Sequence, residues 1–549
     1  MKPATGETPL RLGRAGTRGV LFAMCLSLVL VVASVSALNL ALPDLAVDLD
    51  ASNSSLTWIA DGYTVALAAL VLPLGALGDL FGRRKILILG NLVFGAAALL
   101  AAFADSTTHL IVWRVLMGVG AAMIMPGTLS TITSVFPAEK KDRGVATWSG
   151  FAAAGAIIGM LIAGGLLEQW TWKSIFVVSA ITSLACALAA LFLAPESKSS
   201  EPEPFDWGGS ATTALMVGTL VYGIIEGSDR GWTELQTLIA FAVSALALTG
   251  YIVLGLRNRH PILDPRLFVL RGFRAGTIAI MTQFMAVFGF FFVGLQFLQL
   301  ILGYSPLKSA VALLPVAAVV LPVSQLTPRL ARRLGYKAVL PAGLLFLAGG
   351  MFWLTTLNTD SGYPAFLVAL VVAGLGIGLI GSAGTSSIVD SLGPDRQGVA
   401  SAMNDTTREV GSAVGIAIMG SVFSTQYRSA LPDTIEQLPA DTAETVRHSA
   451  AGGLEVASHL GGRGLQLADG VRDAFMSGFT DAMGVISAIL ALAALACLIF
   501  APARTRSTAD EAPPTPQDDA PPIEDPDGTD IRRPAAAVPA SSRDEGETG

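Results

Sequence analysis

The sequence is poor in charged residues and in the residue types that most catalytic and metal centres require. Only 14 % of its 549 residues are Asp, Glu, Lys or Arg, whereas a soluble globular protein has about 25 %. Its three cysteines, Cys25, Cys186 and Cys497, each lie inside an apolar run, and no two of its four histidines have metal-ligand spacing. The sequence therefore predicts neither a disulfide framework nor a metal site. It also lacks a phosphate-binding loop of the ATPase type, which argues against direct ATP hydrolysis.

Hydrophobic residues are abundant and make up 52 % of the chain. A water-soluble protein of this length could not cover its surface with so few charges, so the composition indicates lipid as the main solvent. The net charge of −7 comes from an acidic tail after Pro502 and from the segment 425–478. It therefore says nothing about what the apolar body binds.

Fourteen segments are long and apolar enough to cross a membrane, which requires roughly 20 residues. The first has an apolar run longer than a signal-peptide core and is interpreted as an uncleaved span. The predicted spans are 20–42, 57–78, 86–105, 110–134, 145–167, 174–194, 210–228, 236–256, 275–302, 308–328, 337–357, 363–388, 401–424 and 479–501.

Lysine and arginine are concentrated in the connections on one side of these spans, including Arg83, Arg84 and Lys85 after the second span. The opposite connections carry only Lys173, Arg230 and Lys308. Basic connections face the cytoplasm, and the number of spans is even. We therefore expect both termini in the cytoplasm.

The chain contains a weak internal repeat, because Leu77–Arg84 is similar to Leu330–Lys337, and each follows a span on the basic side. Such repeats are typical of transporters built from two related halves. The segment 425–478 shows a pattern compatible with two short amphipathic helices, and the Pro- and acid-rich tail is expected to be disordered. The predicted divisions are an N-terminal tail (1–19), a first six-helix half (20–194), two extra central helices (195–256), a second half (257–501) with an extracellular hairpin insertion (425–478), and an acidic cytoplasmic tail (502–549).

The connection between the second and third spans carries the most specific motif. The residues Gly75-Ala-Leu-Gly-Asp79-Leu-Phe-Gly82-Arg83-Arg-Lys resemble the cytoplasmic signature loop of the major facilitator superfamily. The resemblance implies a rocker-switch transporter, an all-α integral membrane protein with two six-helix halves. It also implies that Gly75, Asp79, Gly82 and Arg83 form a latch that stabilises the outward-open state.

Two further spans carry motifs of the same family. Arg114 and Gly118 in the fourth span resemble a motif whose arginine is implicated in proton coupling, and Met117 replaces its usual glutamine. An arginine inside a membrane is costly unless it is paired, and so marks a functional site by default. In the fifth span, Gly155, Gly159 and Gly164 resemble the antiporter signature, with Met160 in place of its proline. Small residues at these spacings also serve plain helix packing, and that alternative stays open.

The first two spans resemble those of the fourteen-helix drug:proton antiporters, including pumps for quaternary ammonium compounds. Many of these pumps have an additional Asp in the first span, where this chain has Ser34. The resemblance covers residues 20–501 and implies Asp61 and Arg114 as proton-coupling residues. Ser34, Asn39, Trp58, Tyr63 and Gln296 are our candidates for the lining of a substrate cavity.

Three other acidic residues fall inside predicted spans: Glu226, Asp405 and Glu409. Asp405 and Glu409 are four residues apart and share a helix face beside Arg408, so they join the proton-coupling candidates. Asp405 also fits a solvated helix start, and Glu226 fits an ordinary interfacial residue. The phenylalanines near Phe284 fit either a lipophilic pocket or lipid contact.

The sequence as a whole predicts a proton-coupled efflux transporter that exports lipophilic or cationic drugs, or an antibiotic or secondary metabolite, and so confers resistance. Two alternatives remain: uptake or exchange of a small metabolite, and a non-transporting membrane sensor or scaffold. We expect no enzymatic activity, no cofactor beyond the proton gradient, and no nucleic acid partner. The expected partners are the bilayer, protons and a small amphiphilic or cationic substrate, with the chain a monomer in the plasma membrane.

Overall fold

The structure is a computed structural model that describes residues 14–136, 138–196, 205–258, 261, 264–392, 397–460 and 462–502. Within these ranges the regular elements are helices, which confirms the all-α prediction. The first half of the chain contains α1 (Arg14–Asp48), α2 (Asn53–Phe81), α3 (Arg83–Ala102), α4 (Thr107–Val135), α5 (Ala138–Leu167), α6 (Lys173–Leu193), α7 (Trp207–Arg230) and α8 (Leu235–Arg257). The second half contains α9 (Arg271–Gln296), α10 (Pro306–Ala312), α11 (Leu314–Leu334), α12 (Tyr336–Leu354), α13 (Tyr363–Asp390), α14 (Gln397–Ala430), α15 (Ala440–His448), α16 (Ala450–His459) and α17 (Gly462–Phe500).

Each of the fourteen predicted spans falls on a helix or, for 308–328, on the pair α10 and α11. Twelve helical stretches in the described part are long and apolar enough to cross a membrane. The two predicted spans outside this group are 145–167 in α5, whose apolar stretch Gly155–Leu167 is shorter, and 401–424 in α14. Helix α14 is less apolar because its first turns carry Asp405, Arg408 and Glu409. Its polarity matches a helix that lines a protein interior and not one that faces lipid on all sides.

The helices pack in two groups. In the first, α1 packs on α5, and α3 lies against α4 and α6, while α2 lies along α4. In the second, α9 packs on α13, α14 and α17, and α12 packs on α13 and α17. Helix α7 pairs with α8 and also touches α2 of the first group and α14 of the second. It therefore bridges the two groups.

The two groups of helices touch at the end of the bundle where α1 ends and α2 begins, which we call the outer end. There the Gln299 amide donates a hydrogen bond to the Leu40 carbonyl at 3.1 Å. The Ser305 hydroxyl donates to a carboxylate oxygen of Glu168 at 2.5 Å. These contacts close the outer end. The opposite end, where α2 turns into α3, is called the basic end because its connections carry most of the lysines and arginines.

The internal repeat has a structural counterpart at the basic end. Gly82 joins α2 to α3 with φ of 115°, and Gly335 joins α11 to α12 with φ of 77°. Side chains rarely adopt such positive φ values, so glycine allows both helix pairs to be joined by a single residue. The two short helices expected in the segment 425–478 are α15 and α16. The predicted disordered tail (502–549) lies, beyond residue 502, outside the described residues.

Glycines set the distance between some of the helices, and Gly120 is the sharpest test of this packing. A Cβ at Gly120 in α4 would lie 2.7 Å from the Phe94 backbone nitrogen of α3, whereas at Gly218 in α7 it would meet nothing within 4 Å. We predict that Gly120→Ala lowers the midpoint of thermal unfolding in detergent, with an overpacking cost of about 1–3 kcal/mol. Gly218→Ala is the matched control and should leave the midpoint unchanged or slightly raised. Equal midpoints for the two variants would contradict this account.

Candidate functional site

Arg114 of α4 is fully buried, and backbone carbonyl groups satisfy its guanidinium. Its Nε donates to the Ile59 carbonyl at 3.0 Å, and its two terminal nitrogens donate to the Ala60 carbonyl at 3.4 Å and the Ser34 carbonyl at 3.5 Å. The guanidinium also lies 4.6 Å from the centre of the Tyr63 ring. No carboxylate of the described residues forms an ion pair with it, so its positive charge is not neutralised by a neighbouring side chain. The arginine thus ties α4 to both α1 and α2.

Tyr63 completes this arrangement from α2. Its hydroxyl donates to the Val31 carbonyl of α1 at 3.0 Å, and its ring is fully buried. A buried tyrosine needs a partner for its hydroxyl, and α1 provides one. The ring therefore has a fixed position beneath the guanidinium of Arg114.

Asp61 lies two residues before Tyr63 and has no exposed surface. The Thr64 hydroxyl donates to one carboxylate oxygen, Oδ1. The other oxygen, Oδ2, has no hydrogen-bond partner among the described residues. An unpaired, buried carboxylate charge is too costly to persist. The site is therefore stabilised either by a proton on Asp61 or by a cation that reaches it.

A second group of charges lies on α14 of the other helix group. A terminal nitrogen of Arg408 lies 3.9 Å from Oδ1 of Asp405, and both side chains are largely buried. The Arg408 guanidinium lies 4.6 Å from the centre of the Phe284 ring on α9, and its Nε has no partner among the described residues. Helix α14 packs against α2, the helix that carries Asp61 and Tyr63. The two groups of charges therefore lie on neighbouring helices of the two helix groups.

Three predicted cavity residues use their donors on their own helices. The Ser34 hydroxyl donates to the Leu30 carbonyl at 2.8 Å, the Asn39 amide donates to the Val35 carbonyl at 3.1 Å, and the Gln296 amide donates to the Phe292 carbonyl at 2.8 Å. All three are buried. The Asn39 amide oxygen has no partner among the described residues, so it remains an acceptor for a bound donor.

Trp58 and Glu226 form a separate contact at the outer end. The Trp58 indole donates to Oε1 of Glu226 at 3.1 Å, and the Nε of Arg230 lies 2.6 Å from Oε2. On the other side of α7, the Ser421 hydroxyl of α14 donates to the Ile224 carbonyl at 2.8 Å. Both oxygens of Glu226 are thus occupied, and the side chain fastens α7 to α2.

The predicted latch lies at the basic end. A Cβ at Gly75 would lie 3.0 Å from the Cβ of Pro126, so the glycine lets α2 approach α4. The Arg83 guanidinium donates to the Ser130 carbonyl at 3.2 Å, which joins the start of α3 to α4. Gly82 forms the turn between α2 and α3. The side chain of Asp79 lies outside the described part of the chain.

The glycines of α5 face two different neighbours. A Cβ at Gly155 would lie 3.2 Å from Val32, and one at Gly159 would lie 2.5 Å from the Cα of Ala33, both on α1. Gly164 instead faces α10, where a Cβ would lie 2.7 Å from the Cα of Leu307. The same stripe therefore packs α5 within its own helix group and against the other group.

Sequence reasoning did not single out two polar residues of this interior. Thr64 holds the carboxylate of Asp61, and its position three residues further along the same helix was a signal that could have identified it. Gln283 of α9 is buried with its amide oxygen unpartnered among the described residues. Within the same residues, no group of three His, Cys, Asp or Glu side chains could hold a metal ion.

Comparison with known proteins places these features in context. A family model described as Major Facilitator Superfamily matches residues 24–416. The multidrug efflux pump LfrA of Mycolicibacterium smegmatis is 32 % identical over 90 % of this chain and 97 % of its own. The methyl viologen resistance protein SmvA of Salmonella typhimurium is 31 % identical over 83 % of this chain and 93 % of its own. The tetracenomycin C resistance and export protein of Streptomyces glaucescens is 28 % identical over 91 % and 96 %.

Solved structures share the fold at low sequence identity. A bacterial homologue of the human lysosomal transporter Spinster, in an inward-facing conformation, superposes with a TM-score of 0.63 at 15 % identity, covering 89 % of this chain and 99 % of that one. A D-xylose–proton symporter superposes with a TM-score of 0.58 at 14 % identity, covering 88 % and 98 %. These likenesses show a transporter fold.

The carbonyl cage around Arg114 leads to a prediction about stability. Lysine keeps the charge but replaces the planar guanidinium by a single ammonium, which cannot serve three carbonyls and stack on Tyr63 at once. We predict that Arg114→Lys lowers the thermal unfolding midpoint in detergent, with a cost of about 1–3 kcal/mol from the unpaired carbonyls. Arg329→Lys, at an exposed position of α11, is the control. If both variants unfold at the wild-type temperature, the cage has no structural role.

Proposed function

Since the chain belongs to the Major Facilitator Superfamily, we propose that it is a proton-driven efflux pump of the plasma membrane. Its substrates are lipophilic or cationic drugs, or an antibiotic or secondary metabolite, and its activity confers resistance. The observation that carries this proposal is the buried carboxylate of Asp61, whose Oδ2 has no hydrogen-bond partner in the described part of the chain. The names of the relatives support export of such compounds, because they include efflux pumps and resistance proteins for unlike chemicals.

Proton and substrate compete for one polar interior in this mechanism. In the outward-open state a proton binds Asp61 and favours release of the substrate to the outside. After the halves rock, a cationic or polar substrate enters from the cytoplasm and stabilises the charged carboxylate, so the proton leaves to the cytoplasm. Inward movement of one proton gains about 2.3 kcal/mol per 100 mV of membrane potential, which drives export of a neutral substrate. Export of a monovalent cation costs the same amount, so the pH gradient drives that exchange.

Other buried groups assist this exchange in distinct ways. Arg114 supplies a fixed positive charge that is held by the carbonyls of Ile59 and Ala60, the two residues before Asp61. Asp405 and Glu409 supply acidic groups on the opposite half. The unpartnered oxygens of Asn39 and Gln283 accept hydrogen bonds from the substrate.

The proposed orientation in the membrane follows from the side of the bundle on which the connections rich in lysine and arginine lie. The halves 20–194 and 257–501 rock about the substrate, with 195–256 added between them, and both termini lie in the cytoplasm. The outer contacts made by Gln299 and Ser305 then close the cavity toward the cell exterior. When these contacts part in the outward-open state, the basic end closes, and the latch residues Gly75, Asp79, Gly82 and Arg83 stabilise that closure.

The variant Asp61→Asn tests this function directly. Asparagine resembles the protonated acid in shape but cannot release a proton, so we predict that the variant inserts normally and loses efflux. The measurement is accumulation of a fluorescent lipophilic cation such as ethidium in intact cells, with protein amount checked in isolated membranes. Asp105→Asn changes an exposed carboxylate between α3 and α4 and should keep efflux. Normal efflux by Asp61→Asn would remove this residue from the mechanism.

A further inference from the structure

The lipid-facing side of the second helix group contains a groove with an acidic residue at its edge. The groove has a volume of about 480 Å³ and lies between α12, α14 and α17. Asp481 of α17 is exposed there and makes no hydrogen bond or ion pair with any other described residue. Sequence reasoning did not select Asp481, although it lies inside the predicted span 479–501. The described chain supplies Asp481 with no partner, so its carboxylate oxygens remain available to a ligand.

The depth of the groove follows from the lengths of its helices. Asp481 precedes Phe500, the last residue of α17, by about 28 Å at 1.5 Å per residue. Arg271 at the basic end donates to the carbonyls of Ile499 and Phe500, which marks the inner headgroup level. The hydrocarbon core of a bilayer is about 30 Å thick. Asp481 therefore lies at the outer boundary between headgroups and acyl chains.

The second wall of the groove reaches the same level. Thr355 directly follows α12, which begins at Tyr336, so Thr355 is as far from the basic end as Asp481 is. The methyl group of Thr355 would lie 3.9 Å from a Cβ at Gly484, one turn along α17 from Asp481. The glycine leaves the floor of the groove open. On the side of the groove that faces the membrane interior, Phe352 and Val485 are exposed and form an apolar surface.

The polar groups in the groove accept hydrogen bonds. The Thr355 hydroxyl already donates to the Phe352 carbonyl at 2.7 Å, and the Thr480 hydroxyl donates to the Met476 carbonyl at 2.9 Å. Each hydroxyl therefore offers only oxygen lone pairs to a ligand, as does the carboxylate of Asp481. Three acceptors match the three N–H donors of a primary ammonium group. They do not match an anion, and a quaternary ammonium has no N–H to donate.

We propose that this groove binds an outer-leaflet phospholipid with a primary ammonium headgroup, such as phosphatidylethanolamine. The ammonium lies between Asp481, Thr355 and Thr480, and the beginning of an acyl chain lies against Phe352 and Val485. A resident lipid fits better than a transported drug, because the groove lies on the lipid side of α12 and α17 and not between the two halves of the bundle. The binding site is independent of Asp61 and of the transport proposal.

Native mass spectrometry of the full-length protein tests this site. The protein is purified in detergent and titrated with phosphatidylethanolamine or with phosphatidylcholine of identical acyl chains. The wild type should bind phosphatidylethanolamine more tightly than phosphatidylcholine. Asp481→Asn should weaken phosphatidylethanolamine binding about tenfold, as expected when a charged acceptor of a hydrogen bond is replaced by a neutral amide oxygen. Asp360→Asn, in the exposed connection after α12, is the control and should bind like the wild type.

Three results would overturn the proposal. They are equal retention of the two lipids by the wild type, unchanged phosphatidylethanolamine binding by Asp481→Asn, and equal weakening by Asp360→Asn. Because Asp481 is exposed, its replacement does not disturb the packed interior, and circular dichroism and size-exclusion chromatography check this. Thr355→Val gives a second test with no change in charge: it removes one acceptor and should also weaken phosphatidylethanolamine binding while leaving phosphatidylcholine binding as it was.

Discussion

The buried guanidinium of Arg114 is the interaction on which the interior of this protein depends. It has no carboxylate partner among the described residues and is held by the carbonyls of Ser34, Ile59 and Ala60 and by the ring of Tyr63. Three helices are thereby fixed around one charge. The carbonyl groups stabilise this charge without neutralising it, so the interior keeps a positive charge next to the backbone of α2. An ion pair with a neighbouring carboxylate would cancel that charge.

The outer end shows how α7 joins the two groups of helices. Helix α7 is fastened to α2 through Glu226 and Trp58 and to α14 through the Ser421 hydroxyl, so it spans the line along which the halves meet. The stripe of small residues on α5 adds contacts to both helix groups. Closure at this end thus depends on hydrogen bonds and close helix packing. Such contacts can part without leaving a buried charge exposed to lipid.

The apolar runs predicted the positions of the helices well, because length and hydrophobicity alone decide where a membrane span falls. Motifs also led to Arg114 and Asp61, since charges inside spans are rare enough to stand out. The sequence could not show that Glu226 contacts Trp58, which lies 168 residues away, or that Arg408 stacks on Phe284. Nor could it show that Arg114 pairs with backbone carbonyls. Every residue has a carbonyl group, so the residue types do not indicate which carbonyls a side chain contacts. Such long-range contacts are set by packing and not by local pattern.

The central claim is that export of a substrate is exchanged for an inward proton at Asp61. Everted membrane vesicles with an acidified lumen measure this exchange directly, through the fluorescence of a pH-sensitive dye as a lipophilic cation such as ethidium is added. We predict that the cation causes protons to leave the lumen in vesicles with the wild-type protein and that the Asp61→Asn variant abolishes this release. Absence of substrate-dependent proton release from wild-type vesicles, with cation transport unchanged after the pH gradient is collapsed, would contradict the account.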